Sequence, residues 1–95
     1  MKAIWNGQTI AESDKTLEVR GYTYFPRDSV RMGLLKQAHK TESDLECPHG
    51  VQFYDVADGK MSSERAAWSY EKPAGETMRT IDHWVSFWDD VEVKA

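Results

Sequence analysis

Cys47-Pro48-His49-Gly50-Val51-Gln52-Phe53-Tyr54-Asp55-Val56 holds the only cysteine of the chain, a stop and restart of the backbone at Pro48 and Gly50, and the most continuously apolar strand candidate. Val51, Phe53, Tyr54 and Val56 spread bulk over both parities of an extended segment, so neither face of this strand is cleanly polar. Such a strand belongs inside a sheet that is packed on both sides. The rest of the chain reads as the β structure around it.

Downstream, Ala57-Asp58-Gly59 is a turn. Ala66-Ala67-Trp68-Ser69-Tyr70 then reads as a strand, with Ala66, Trp68 and Tyr70 on one face and Ala67 and Ser69 on the other. Glu71 to Thr80, with Pro73 and Gly75, reads as a long connection. Trp84-Val85-Ser86-Phe87-Trp88 and Val91-Glu92-Val93 are two short strands kinked apart at Asp89-Asp90.

Upstream, Asn6-Gly7 between two apolar runs predicts a type I′ hairpin with strands at 2–5 and 8–12, because both residues tolerate positive φ. Leu17 and Val19 alternate with polar neighbours as a half-exposed strand. Gly21 breaks or bulges the chain before Tyr22-Thr23-Tyr24-Phe25, and Pro26 ends that strand. Between Arg27 and Lys40 both periodicities fit. The preferred reading is one helical turn after Pro26 and a short strand near 31–36, with a helix over 28–39 as the alternative. His39 to Ser43 reads as a loop, and Leu45 and Cys47 share a face if the chain is extended there. Seven or so short strands with one helical turn describe an all-β fold of two small antiparallel sheets, organised as a single domain over residues 1–95.

Composition bounds the function. With 95 residues, 40% of them apolar and 12% aromatic, one modest core is expected, its area supplied largely by four Trp, four Tyr and three Phe. The net charge is −4, and the acidic excess lies wholly beyond residue 50. Nucleic-acid binding needs a basic face, which neither half provides. A lone cysteine makes no intramolecular disulfide, the first residues lack the apolar run of a secretory signal, and no stretch approaches membrane-spanning length. A cytoplasmic location, as a monomer or homodimer, is the expectation.

The blocks Gly21-Tyr22-Thr23-Tyr24-Phe25-Pro26, Val30-Arg31-Met32, Cys47 to Val56, Ala66 to Tyr70 and Trp84 to Asp89, with the opening Met1 to Gly7, resemble the bacterial DUF427 family over almost the whole chain. The resemblance implies a β-tent-like fold, two small antiparallel sheets packed at an angle, related to families that hold zinc or a small ligand where the sheets meet. Family members commonly carry Cys-Pro-Trp-Lys-Gly, whereas this chain has Cys47-Pro48-His49-Gly50, one residue shorter and without that Trp and Lys. The family is sometimes labelled nucleotidyltransferase-like. This chain has no Gly-Ser turn followed by an Asp-x-Asp pair to hold catalytic metal ions.

Several groups are candidates for chemistry. Cys47 with His49 two residues on is a candidate nucleophile and base, its alternative being a small buried hydrophobe. Zinc could draw on Cys47, His39, His49 and His83, but one cysteine cannot build a Cys-x-x-Cys knuckle, so no metal and no cofactor is expected. Trp68 and Tyr70, with Trp84 or Trp88, are the natural walls of a receptor for a flat or cationic ligand. Arg20, Arg27, Arg31, Lys36 and Lys40 form a basic stretch read mainly as solvated charge, as are Asp82, Asp89, Asp90 and Glu92. The leading expectation is a small-molecule cleft between the two sheets, lined by Cys47, His49, Tyr54, Trp68 and Tyr70, with Arg31 as an anion anchor. A Cys47-dependent enzyme and a protein-interaction module are the alternatives.

Overall fold

The computed structural model describes all residues from Met1 to Ala95. The chain opens as a hairpin of β1 (Lys2–Trp5) and β2 (Gln8–Glu12), turned at Asn6 and Gly7 with φ of 51° and 78°, as the dipeptide predicts. A second two-residue turn, Arg20-Gly21, also with positive φ, joins β3 (Leu17–Val19) to β4 (Tyr22–Phe25). Pro26 leads into a 3-10 turn at Arg27–Ser29, the expected helical turn. A second such turn follows at Met32–Leu34, and only then comes β5 (Leu35–Gln37). The strand expected near 31–36 is therefore displaced, and no long helix forms over 28–39.

The segment read as a loop and extended chain is instead the short helix α1 (Glu42–Glu46). Its start is a capping box: Thr41 Oγ1 accepts the Asp44 N–H, and Asp44 Oδ2 accepts the Thr41 N–H. Thr41-Glu42-Ser43-Asp44 carries that signal in the sequence. β6 (Val51–Ala57) and β7 (Ser62–Tyr70) follow as a long antiparallel pair, their turn held by Asp58, whose carboxylate accepts the Lys60 and Met61 N–H groups and is acidified by them. The long connection contains α2 (Glu76–Arg79), which places Met78 and Ile81 against the sheet. β8 (Val85–Phe87) and β9 (Glu92–Lys94) complete the chain.

These nine strands make two antiparallel sheets, one ordered β2-β1-β9 and one ordered β3-β4-β8-β7-β6-β5. The small sheet packs Ala3, Trp5, Ile10 and Ala11 against Phe25, Leu35, Tyr54, Val56, Ala67, Val85 and Phe87 of the large one. Trp5 Nε1 donates to Ser63 Oγ at 3.0 Å, and Ser63 Oγ donates to Asp90 at 2.7 Å, so the bottom of this core is also pinned by polar bonds. No helix is long and apolar enough to cross a membrane.

The opposite face of the large sheet carries a second cluster of Val19, Tyr24, Val51, Trp68, Met78 and Ile81, with Cys47, Phe53, Tyr70 and Trp84 packed on it. β6 thus serves two cores, Val51 and Phe53 on one side and Tyr54 and Val56 on the other, as its mixed parity requires. Ala66 departs from simple alternation. It joins Ala67 in the inter-sheet core because β7 bulges between Ser63 and Ala67, with Arg65 at φ 55°.

The bulge aims Arg65 at α1. Its guanidinium binds Asp44 through two bonds of 3.0 and 2.9 Å and lies 4.0 Å from the Phe53 ring centroid. Asp44 is 4% exposed, and those bonds, more than any other contact, hold its carboxyl at about 2 against an ordinary 3.8. A depressed carboxylate stabilises the fold above its unfolded pKa and loses that contribution as pH falls through the folded value. Asp44→Asn is expected to lower stability near neutral pH by on the order of 2 kcal/mol and to flatten the loss between about pH 4 and 2 in urea melts. An acid limb as steep as that of the unaltered protein would remove this role from Asp44.

Candidate functional site

On the outer face of the large sheet, register alone sets one row of side chains across five strands: Phe53 opposite Trp68, Trp68 opposite Ser86, Ser86 opposite Tyr24, and Tyr24 opposite Leu17. Directly opposed residues of an antiparallel pair share a face. Ser86 is the small member of the row and is fully buried. Across it the Trp68 indole reaches Tyr24, its Nε1–H donating to the phenol oxygen at 3.2 Å. Burial of Tyr24 outweighs that bond and pushes its phenol up to about 12, so it stays protonated at any ordinary pH.

Trp68 becomes the floor of an open hollow of about 190 Å³, lined by Tyr22, Phe53, Trp68, Tyr70 and Trp88 and by no charged side chain. Tyr22 and Trp88 are its exposed walls, 41% and 45% accessible, whereas Trp68 is 5% accessible. Trp88 is not loose: its Nε1–H donates to the Arg65 carbonyl, and its backbone N–H to the Ala66 carbonyl at 3.0 Å. Tyr22 meets the indole of Trp68 edge to face at 4.9 Å between centroids.

The residues expected in the site separate. Trp68 and Tyr70 do come together, with Trp88 rather than Trp84 as the third wall. Tyr54 lies on the opposite face, 2% exposed in the inter-sheet core, where its hydroxyl accepts Arg27 Nη2 at 2.8 Å. Phe53 takes the place expected of Tyr54, because it is the β6 residue paired with Trp68. The space between the sheets is filled by side chains, so the hollow lies outside the tent rather than inside it. Tyr22 and Phe53 were missed by sequence reasoning; the alternation of each strand against Trp68 is the signal that finds them.

Arg31 borders a separate depression of about 180 Å³ with Thr9, Glu12 and Ser29, beside β2. Arg27, read as solvated charge, is partly exposed but tied into the fold: it also donates to the His83 carbonyl at 3.0 Å and pairs with Glu71 at 3.7 Å. Cys47 caps the end of α1, half-buried against the outer cluster, and borders a hollow of about 280 Å³ with Lys40, Leu45, Glu71 and Lys72. His49 Nδ1 accepts the Ala74 N–H at 2.9 Å, and the ring meets Tyr70 at 5.6 Å between centroids in a T-shaped arrangement. That bond occupies one of the two ring nitrogens of the residue expected to act as base for Cys47. Cys47, His39, His49 and His83 do not converge into a metal-binding group.

The fit of the indole over Ser86 has a measurable consequence. Ser86→Val, although it replaces a buried hydroxyl with an apolar group, is expected to destabilise by about 1–3 kcal/mol through overpacking against Trp68. Ser86→Ala loses only the bond to the Thr23 carbonyl and is expected to cost about 1 kcal/mol. Denaturant melts giving the two variants equal stability would show that the indole does not need that space.

A family model described as a domain of unknown function, DUF427, matches residues 1–95, the whole chain. No curated protein matches significantly. The chain therefore belongs to the DUF427 family.

Proposed function

We propose that this protein binds a small molecule in the aromatic hollow on the outer face of its large sheet. One observation carries the reading: five aromatic side chains from three strands and the turn after β8 meet around one opening, and two of them stay more than a third exposed. Full burial of a large apolar side chain stabilises a fold by about 1.5–3 kcal/mol relative to exposure, so a chain of this size forgoes stability by leaving Tyr22 and Trp88 open. The bonds from Trp68 to Tyr24 and from Trp88 to Arg65 hold the rings in place before any ligand arrives, which lowers the ordering cost of binding. The free Cys47 is compatible with a reducing compartment such as the cytoplasm.

A second reading draws on Leu17, 39% exposed in the edge strand β3 and in the same cross-strand row as Trp68. It extends the apolar surface beyond the hollow, as a docking face for a partner chain would. The Cys47-dependent enzyme gains no comparable support, since His49 Nδ1 is already bonded to the Ala74 N–H.

Two of the four tryptophans, Trp68 and Trp88, line the hollow, so its occupancy is visible in emission. In a screen of nucleotides, amines and small acids, a true ligand at about a hundred times its Kd is expected to raise the unfolding midpoint by on the order of 10 °C and to change tryptophan emission. Trp88→Leu should weaken both effects. A screen in which nothing shifts either signal would leave the docking-face reading in its place.

A further inference from the structure

We infer that the group received by the hollow is an alkylammonium cation, tertiary or quaternary, an inference that rests on the reading of the hollow as a ligand site. The rings are arranged as a box. Tyr22 stands at 89° to Trp68, Trp88 stands at 79° to Trp68 with centroids 5.7 Å apart, and Phe53 is tilted by 43° to Trp68 and by 40° to Trp88. None of these four pairs is parallel, so none of them forms a stacking slot for a flat heterocycle. A compact, rounded cation gains instead from each π face turned towards it. The volume of about 190 Å³ lies below the roughly 300–1,000 Å³ of pockets for drug-sized ligands, and it suits a small head group.

The lining offers an anion no cationic partner. Both indole N–H donors of the hollow are already given away, that of Trp68 to Tyr24 and that of Trp88 to the Arg65 carbonyl, and no Lys, Arg or His lines the walls. Arg65, stacked on Phe53, is neutralised by its two bonds to Asp44, and it shows that a ring of this cluster already accepts a cation on one face. The protein as a whole carries a net charge of −4, which favours the approach of a cation over that of an anion.

The test compares choline and tetramethylammonium with dimethylbutanol, the neutral tert-butyl isostere of choline, by calorimetry and tryptophan emission. Choline is expected to bind at least about tenfold more tightly than the isostere. Tyr22→Leu and Trp88→Leu keep apolar bulk and remove a π face; both should weaken choline more than the isostere and so collapse that ratio. A trimethyllysine peptide binding more tightly than choline would assign the cation to a protein side chain, and the reverse order to a free small molecule. Equal binding of choline and isostere, or binding of indole but no ammonium, would overturn the inference and keep the hollow as a ligand site. Absence of binding by every probe would overturn both.

Discussion

The constraint on which the structure turns is the bulge of β7 at Arg65. A single residue of β6, Asp55, stands opposite three residues of β7, and its carboxylate accepts the Arg65 N–H at 2.9 Å, holding a non-glycine residue at φ 55°. From that one position three further contacts radiate. The carbonyl accepts the Trp88 indole, and the guanidinium both clamps Asp44 of α1 and covers the Phe53 ring. Without the bulge a regular strand would aim the residue elsewhere, and α1, Phe53 and Trp88 would lose their common anchor.

The same bulge divides labour between the two faces of the large sheet. On the inner face the row Tyr54, Ala67, Phe87 puts a small residue between two large rings, and the small sheet closes over it. On the outer face the row Phe53, Trp68, Ser86, Tyr24 repeats the device with Ser86 as the small member. No sheet covers that side; α2 and the segment to Trp84 cover one end of it, through Met78 and Ile81, and leave the other open. The hollow is what remains of an apolar sheet face that is only half roofed. Its place follows from which face the small sheet occupies.

Much of this was legible in the residues. Turn chemistry at Asn6-Gly7, the two-sided bulk of β6, and the end of β4 at Pro26 each rest on local backbone sterics, and local sterics survive tertiary context. The short helices were not legible as periodicity, since α1 has five residues and α2 four, too few for a repeat to emerge. The capping pair Thr41 and Asp44 was the only local mark of α1. The site was half legible for a different reason. Trp68 and Tyr70 share a face by simple alternation, but their partners come from Tyr22, Phe53 and Trp88, distant in sequence, and strand register between distant segments is written in no single stretch. Tyr54 was misplaced by one residue of parity, which in a strand is the whole distance between two faces.

The bend at Cys47-Pro48-His49-Gly50 shows how the rim is divided between rigid and yielding parts. Gly50 sits at φ 65°, and a Cβ there would lie 3.2 Å from the Lys72 side chain and 3.3 Å from its backbone nitrogen, so both the backbone conformation and the close approach favour glycine. The carbonyls of His49 and Gly50 accept the N–H groups of Lys72 and Glu71, each at 3.0 Å, and His49 is fixed again through Ala74. This stapled bend lays an imidazole edge against Tyr70. Tyr70 is therefore braced from behind, just as Trp68 is held from below by Tyr24. Tyr22, by contrast, projects from the residue that closes a tight turn and is held only by packing. The floor and back wall are thus held by hydrogen bonds and stapled backbone, whereas the Tyr22 wall rests on its edge-to-face packing with Trp68.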